Sequence, residues 1–165
     1  MLRGKKILLR YPELSDADIL YEWENDKSHW EISGTQKPFT KKEIKDFILN
    51  RKDIYLDKQL RWIIAFNEKL VGCIDLFDFN QQRGTAGIGI LIDKNCRRKG
   101  CGSEALSLVI NYSFEILNLK QLYSKVSSDN TASMKLFMKH NFKTAEKKKH
   151  IHLFRLINKR LVIAY

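Results

Sequence analysis

The chain has 165 residues, of which 30 are lysine or arginine and 19 are aspartate or glutamate, so its formal net charge is +11. This length is typical of one domain with a continuous hydrophobic core, and we expect a single domain over residues 1–165. The small number of prolines and glycines leaves little material for a disordered linker, and no apolar run approaches a membrane-spanning length.

The cysteines and the charge restrict the class of protein further. Cys73, Cys96 and Cys101 are odd in number and lack a CxxC spacing, which argues against a disulfide framework and a structural zinc site. We therefore expect no metal, and a reducing cytoplasm as the location. The positive charge attracts anions, whether nucleic acid, an acidic protein or a phosphorylated coenzyme, and charge alone does not choose among them.

The first third of the chain predicts one strand and two helices. Residues 5–10 predict a strand, and the turn that follows Pro12 leads into a capped helix ending near Glu24. Residues 25–39 show no periodicity and predict a loop, a feature that is usually functional in a compact domain. Thr40 and the glutamate three residues later form a capping box that predicts the start of the second helix.

The middle of the chain predicts a hairpin and a fourth strand. Residues 60–66 and 70–79 predict two strands joined by a polar turn. Residues 85–92 predict the fourth strand, with Gly87 and Gly89 in its interior. Glycine weakens a strand unless a bulge or a closely bound ligand requires its backbone, so these two glycines indicate a ligand or an irregularity.

The next segment predicts a helix, a strand and a second helix. Residues 103–118 have the apolar spacing of an amphipathic helix, and residues 121–127 predict a fifth strand. Asn130 stands where the N-cap of a following helix belongs, and Asn141 stands where a left-handed residue should end it.

The tail completes a mixed sheet. Residues 149–157 alternate weakly, and residues 160–164 predict a last strand. The sum is an α/β (α+β) fold with a mixed, mostly antiparallel sheet of six or seven strands and helices on both faces.

The loop between the fourth strand and its following helix is the most informative segment. Free N–H groups at a helix N-terminus point outward and the helix dipole adds positive charge, so this position favours an anion. Gly100 and Gly102 allow the backbone to approach a bulky pyrophosphate. Three cationic side chains strengthen the same field: Arg97, Arg98 and Lys99. The chain has neither a GxxxxGK[ST] motif nor a GxGxxG motif, which disfavours ATP and NAD.

Two separated motifs in the chain resemble those of the GNAT acetyltransferases. Arg97, Gly100 and Gly102 match the acetyl-CoA motif Q/R-x-x-G-x-G/A, and residues 130–142 resemble the segment N-x-x-A/S-x-x-L-Y-x-x-x-G-F. The similarity is greatest to the branch that contains spermidine/diamine and ribosomal-protein N-terminal acetyltransferases. It implies acetyl-CoA as the cosubstrate and a primary amine as the acceptor, either a small amine, a polyamine or a protein N-terminus, which attacks directly in a ternary complex.

The resemblance also implies where the coenzyme lies. In this family the fourth and fifth strands splay apart, and pantetheine pairs with the exposed backbone of the fourth, here Ile90, Leu91 and Ile92. The diphosphate would be bound by the loop and helix start, comprising Arg97, Arg98, Lys99, Gly100, Cys101, Gly102 and Ser103. Asn130 would hydrogen-bond the coenzyme arm, although helix capping alone is a sufficient reason for asparagine there.

The expected general acid is missing. Phe137, which would line the coenzyme site, stands where the family has a tyrosine that protonates the departing thiolate. A free thiol has a pKa of about 8.5, so a thiolate is a tolerable leaving group near neutral pH. Tyr123, Tyr112 or an ordered water are the substitutes, although aromatic residues in such segments more often pack in the core.

The general base must also come from another position, because Gly87 occupies the place where the family often has an acidic residue. The candidates are Glu31 in the long loop, with His29 near it, and Asp75 or Asp78 on the third strand. Each of these carboxylates is alternatively a solvated surface charge.

Two other functions stay open at this point. A catalytically silent member, motivated by Phe137, would bind acyl-CoA without transferring an acetyl group. A basic nucleic-acid-binding module, motivated by the charge, is disfavoured because RNP-like aromatics, zinc spacing and a recognition helix are missing from the sequence. We expect no membrane partner. The sequence does not determine the acceptor or the oligomeric state, for which a homodimer is one arrangement.

Overall fold

The computed structural model describes residues 1–161, which form one eight-stranded sheet with helices on both faces. The strands are β1 (Leu2–Arg3), β2 (Ile7–Arg10), β3 (Leu60–Phe66), β4 (Lys69–Asn80), β5 (Thr85–Ile92), β6 (Gln121–Ser127), β7 (Lys143–Lys147) and β8 (Ile151–Ile157). Their order is β1-β2-β3-β4-β5-β6-β8-β7, and every pair is antiparallel except β5 with β6. The predicted mixed, mostly antiparallel sheet is confirmed, with eight strands instead of six or seven.

Six α-helices accompany the sheet within the described part of the chain. They are α1 (Ala17–Glu24), α2 (Trp30–Ser33), α3 (Lys41–Leu49), α4 (Ile54–Asp57), α5 (Cys101–Asn111) and α6 (Thr131–Lys139). The end of α5 continues as a π-helical turn over Tyr112–Ile116. Within residues 1–161, no helix is both long and apolar enough to cross a bilayer.

The helices cover the two faces of the sheet with separate cores. One core gathers Ala105 of α5 and Phe137 of α6 over Trp62 and Leu122 of the sheet. The other packs α1 and α3 over the opposite face, around Ile63 of the sheet. Alternate residues of β3, β4 and β5 therefore face different helices, and the same alternation fixes the side of the sheet on which each site residue lies.

Several local predictions are confirmed. The Thr40 hydroxyl and the Glu43 carboxylate make the reciprocal capping box at the start of α3. Asn130 caps α6 by accepting a hydrogen bond from the Ser133 amide at 3.0 Å, and Asn141 follows α6 with a left-handed φ of 66°.

Other predictions were wrong. The predicted loop over 25–39 contains a 3-10 turn, Lys27–His29, and α2. The carboxylate of Asp26 accepts a hydrogen bond from the Ser28 amide and so begins this turn. The capped helix α4 was not predicted, because its four residues are too few to show periodicity.

The predicted last strand over 160–164 is also incorrect where it is described. Arg160 lies in a short 3-10 helix, Lys159–Leu161, and residues 162–165 lie outside the described residues. The buried Asn158 explains the turn, because its amide nitrogen donates to the Leu119 carbonyl at 3.1 Å and its oxygen accepts from the Arg160 amide at 3.2 Å.

The sheet opens between β5 and β6. These two strands pair only at Thr85–Gln121, Ala86–Leu122 and Gly87–Tyr123. The remainder of β5, residues 88–92, has no strand partner on that side among residues 1–161. β4 continues to pair with β5 up to Ile92. The predicted splay between strands 85–92 and 121–127 is therefore confirmed, and the gap begins at the Gly87–Tyr123 pair.

Candidate active site

The first turn of α5 presents main-chain N–H donors, and we call this end of the helix its mouth. Gly100 is the N-cap, with a left-handed φ of 82°, and no side chain caps the helix among the residues described. The first-turn N–H groups of an α-helix have no partner within the helix, so those after Gly100 are available. A Cβ built at Gly100 would meet no heavy atom within 4 Å. Backbone shape and free space thus combine in an arrangement that can bind an anion.

The cationic loop residues before this mouth have different roles. Arg97 donates from Nε to the Ile92 carbonyl at 3.1 Å, which ties the loop to the end of β5. Arg98, with a left-handed φ of 64°, and Lys99 are exposed to solvent. Arg98 and Lys99 are therefore the cations left free to move toward a ligand.

The other loop residues serve packing as well as the backbone. The Cys101 side chain is buried, and burial raises the pKa of its thiol, so this residue can offer a ligand only its main chain. A Cβ on Gly102 would lie 3.2 Å from Cγ1 of Ile92, so the lack of a side chain lets α5 pack closely on β5. Ile90 and Ile92 pack toward the α5 core and Leu91 toward the α1 core, on the open length of β5.

Phe137 lies in the core. Its side chain is 1% exposed and packs edge-on against Phe142, with ring centroids 5.0 Å apart, and roughly parallel to Phe154 at 6.4 Å. The position that carries a tyrosine in the family is thus filled here by a packing residue without a polar atom.

His140 was not predicted, because it occupies a variable position of the α6 motif. Its Nε2 lies 2.8 Å from the Ser103 hydroxyl, and its Nδ1 lies 3.4 Å from the Ser107 hydroxyl. Burial, followed by the nearby charge of Lys139, lowers the pKa of this imidazole. His140 therefore joins α6 to the first turns of α5, and it engages the hydroxyl of the predicted ligand residue Ser103.

Two predicted catalytic residues meet where the sheet opens. The Tyr123 hydroxyl donates to Oδ2 of Asp78 at 2.8 Å, and Tyr123 forms the last β5–β6 pair with Gly87. Asp78 has a left-handed φ of 50° at an irregularity of β4. Burial, followed by the hydrogen bond to Asp78, raises the pKa of Tyr123, so the phenol keeps its proton near neutral pH.

Gly87 lies beside the irregularity of β4, and it also has a packing reason. A Cβ at Gly87 would lie 2.3 Å from Cε2 of Phe77, so the ring of Phe77 occupies the space above this glycine. The same ring stands edge-on to Tyr123, with centroids 5.9 Å apart. An acidic side chain has no room at position 87, and Asp78 supplies a carboxylate beside the same pair of residues.

The remaining candidate bases are less well placed. Both oxygens of Asp75 are engaged by Arg61, at 2.6 and 2.7 Å, and Arg61 also pairs with Glu24 of α1. Although burial opposes it, the charge of Asp75 raises the pKa of Arg61, so this is a permanent ion pair that holds α1 on the sheet. Glu31 is exposed on α2, which lies against β6.

Tyr112, the other substitute for the missing acid, lies away from the opening. Its ring packs edge-on against the buried Trp62, with centroids 5.4 Å apart, at the far end of α5 from Gly100. Among the side chains that the structure describes, no group of three or more His, Cys, Asp or Glu is arranged to hold a metal ion.

Comparison with known proteins identifies the family. The chain matches the acetyltransferase (GNAT) domain over residues 6–143. It is 32% identical to an uncharacterized N-acetyltransferase, p20, of Bacillus licheniformis, over 82% of this chain and 78% of that protein. It is 25% identical to the spermidine N(1)-acetyltransferase of Escherichia coli K12, over 86% of this chain and 75% of that protein.

A solved structure shares the fold. The spermidine N-acetyltransferase of Vibrio cholerae in complex with CoA and spermine superposes with a TM-score of 0.82 at 18% identity, covering 96% of this chain and 99% of that one. At this identity the likeness concerns the fold alone. The domain match and the sequence relatives lead to one conclusion: the chain belongs to the GNAT family of N-acetyltransferases.

Proposed function

We propose that the protein transfers the acetyl group of acetyl-CoA to a primary amine by direct attack in a ternary complex. The observation that carries this proposal is the open mouth of α5, with its uncapped N–H groups, beside a sheet that parts at Gly87 and Tyr123. The Vibrio cholerae structure of the same fold contains CoA, which supports acetyl-CoA as the cosubstrate.

The coenzyme would lie on what we call the coenzyme side, formed by the start of α5, the open edge of β5 and α6. The diphosphate accepts hydrogen bonds from the N–H groups of Cys101, Gly102 and Ser103, with Arg98 and Lys99 compensating its charge. Pantetheine pairs with the free edge of β5 along 90–92, where the backbone has no strand partner. The side-chain oxygen of Asn130, Oδ1, caps α6. The N–H groups of the same side-chain amide are left to bind the coenzyme arm.

The acceptor would enter what we call the acceptor side, formed by Asp78 and Tyr123 where the sheet opens. Asp78 takes a proton from the ammonium, directly or through one water, and Tyr123 holds the carboxylate in place. The nitrogen lone pair then attacks the thioester carbonyl, and N–H groups of the β5 edge stabilise the oxyanion. The C–N bond forms, the C–S bond breaks and CoA leaves as a thiolate. Water takes the second proton from the attacking nitrogen and returns a proton to the thiolate, while Asp78 releases the first proton to solvent.

The leaving step needs no protein acid in this scheme. Phe137 has no polar atom to donate a proton. With a thiol pKa of about 8.5, the thiolate is stable enough to depart near neutral pH.

The test combines binding and turnover. We expect acetyl-CoA to raise the melting temperature, and thiol release to follow when a suitable amine is added. Gly100→Glu should weaken acetyl-CoA binding, because its side chain adds bulk and negative charge where the diphosphate lies. Gly34→Glu is the matched control, since Gly34 also has a left-handed φ, of 72°, and open space around its Cα. Equal acetyl-CoA affinity in wild type and Gly100→Glu would refute the proposed phosphate site.

The same experiment addresses a catalytically silent member, which the phenylalanine at position 137 favours. Stabilisation by acetyl-CoA with no thiol release over a broad amine panel would support that function and contradict transfer. Gradual loss of nucleic-acid binding with salt, without stabilisation by coenzyme, would instead support a basic nucleic-acid-binding module.

Two further expectations belong to the proposal. Cys73, Cys96 and Cys101 are all free thiols, which supports a reducing compartment such as the cytoplasm. A homodimer is supported by the exposed apolar side chains of Tyr55 and Ile116, which are 45% and 62% exposed and line one cavity. Sedimentation at micromolar concentration tests the second expectation.

A further inference from the structure

The acceptor side continues into a row of cations on the face of the sheet opposite α5 and α6. Tyr123 of β6 stands directly opposite Arg155 of β8, and Arg155 stands directly opposite Lys143 of β7. Directly opposed residues have Cβ atoms about 5 Å apart and share one face of the sheet. Lys125, two residues after Tyr123, lies on the same face, about 7 Å further along β6.

This face is distinct from the one that α5 and α6 cover. Leu122 and Val126, which alternate with Tyr123 and Lys125, belong to the buried core beneath those helices. Lys125, Lys143 and Arg155 are all exposed, and none of them has an ion-pair partner among residues 1–161. The acidic residue that shares the face, Glu146, pairs with Lys148 at 3.4 Å.

The opposite wall of the same region is acidic. Asp78 accepts the Tyr123 hydrogen bond and carries no cationic partner among the described side chains. Glu24 and Asp75 share the single guanidinium of Arg61, which leaves that cluster with one excess negative charge. Negative charge thus lies toward β4 and α1, and positive charge toward β8 and β7, with Tyr123 between them.

We infer that the acceptor is an amine that also carries a carboxylate or a phosphate, with its ammonium at Asp78 and its anionic group at Arg155 and the neighbouring lysines. This inference rests on the proposed function and narrows its acceptor to one chemical class. A polyamine has no group to place against three uncompensated cations, and it would be repelled by them. A short anionic amine fits the spacing of the row, since Arg155 is the cross-strand neighbour of Tyr123.

The test uses acceptors that differ only in the anionic group. γ-Aminobutyrate is compared with γ-aminobutyramide for the carboxylate, and phosphoethanolamine with ethanolamine for the phosphate. We expect kcat/KM to favour the anionic member of a pair by about tenfold or more, because a charged hydrogen bond is added. Added salt should raise KM more for that member than for its partner, which keeps only the ammonium contact with Asp78.

Variants test whether the preference for anionic amines depends on the row of cations. Arg155→Gln should reduce the preference for the anionic amine about fivefold or more, mainly by raising KM for the anionic member. Lys147→Gln is the matched control, because Lys147 is an exposed lysine of the neighbouring strand β7 whose register places it on the opposite face. Arg155→Glu should raise kcat/KM for spermidine. Melting curves with acetyl-CoA establish that each variant is folded.

The outcomes separate this inference from the proposed function. Thiol release with equal kcat/KM for anionic and neutral amines, or a preference that Arg155→Gln leaves intact, overturns the inference alone. Saturation-transfer NMR of γ-aminobutyrate in the presence of CoA gives a readout that needs no turnover. Binding of γ-aminobutyrate that exceeds binding of the amide and falls in Arg155→Gln supports the inference even where transfer is absent, while equal binding contradicts it.

Discussion

The two sides of the candidate active site are built from different material. The coenzyme side depends on the main chain, with an uncapped helix start at Gly100 and an unpaired edge of β5. The acceptor side depends on side chains that come from separate strands, with Asp78 from β4, Tyr123 from β6 and Arg155 from β8. A main-chain site is specified by a short local sequence, whereas a side-chain site depends on which residues the sheet brings into register.

This difference explains how a fold can keep one substrate while the other changes. Backbone N–H groups are present whatever the side chain, so the mouth of α5 requires only glycine at position 100 and a close approach to β5 at position 102. Single substitutions at positions such as 78, 123 or 155 alter charge and hydrogen bonding on the acceptor side without disturbing the helix start. We therefore expect the strongest effects on chemistry from acceptor-side variants and the strongest effects on coenzyme affinity from the loop.

Substitution of Phe137 gives the largest expected effect. It tests whether the position that carries a tyrosine acid in the family serves here to pack the core. Phe137→Ala should lower the free energy of unfolding by about 3–5 kcal/mol, because it removes a buried aromatic ring and leaves a cavity beside Phe142 and Phe154. Urea denaturation measures this. Met138→Ala, at a neighbouring residue that is 50% exposed, is the control and should change stability much less. A loss as small as the control's would mean that Phe137 is not part of the core.

Asp78 tests the acceptor side directly. Asp78→Asn should lower kcat by about 100-fold, since the amide cannot accept the ammonium proton, while the Kd for acetyl-CoA stays unchanged. Tyr123→Phe should cost less, because the carboxylate remains and only its hydrogen-bond donor is lost. Steady-state kinetics measures kcat, and calorimetric titration measures the Kd for acetyl-CoA. Asp46→Asn, on the exposed surface of α3, controls for charge loss. If Asp78→Asn retains full kcat, the base lies elsewhere.

Gly100 separates backbone strain from steric blocking on the coenzyme side. Gly100→Ala should cost about 1–2 kcal/mol of stability, because φ is 82°, yet retain acetyl-CoA binding, because its Cβ meets nothing within 4 Å. Thermal unfolding with and without acetyl-CoA measures both properties. Gly34→Ala, at a similar φ of 72°, should show the same loss of stability. Loss of binding in Gly100→Ala would mean that the space at the mouth is smaller than described.

His140 gives the smallest expected effect, on the pH dependence of stability. Burial lowers the pKa of this imidazole, so the folded protein favours the neutral form, while the unfolded chain takes up a proton near the ordinary value of 6.5. The contribution is therefore complete above that pH and decreases as the pH falls below it. Chemical denaturation at several pH values should show this loss in wild type and a weaker one in His140→Gln. Parallel curves for the two proteins would exclude His140 as the source.

Local signals explain which elements the sequence could predict. The Thr40 capping box, the cap at Asn130 and the left-handed Asn141 depend on a few neighbouring residues, and all three are present. β7 was missed because all five of its residues are exposed, so it shows no alternation of apolar and polar positions. The predicted last strand was wrong because the bonds of the buried Asn158, which reach Leu119 on another segment, turn the chain instead.

The same reasoning applies to the site. The loop 97–102 could be predicted because an anion-binding helix start is a contiguous pattern. Asp78 and Tyr123 were each candidates, but their hydrogen bond depends on the pairing of β4, β5 and β6, which no local pattern specifies. His140 and Arg155 were missed for the same reason, since each acquires its place only through a contact with a distant element.

The central claim is that main-chain amides at the start of α5 bind the diphosphate of the coenzyme. Isothermal titration of the wild-type protein and Gly100→Glu with CoA and with pantetheine, which lacks the diphosphate, tests it most directly. We predict that wild type binds CoA about 100-fold or more tightly than pantetheine, because the charged hydrogen bonds and Arg98 and Lys99 act only on CoA. Gly100→Glu should remove most of that difference. Equal affinities of wild type for CoA and pantetheine would contradict the claim.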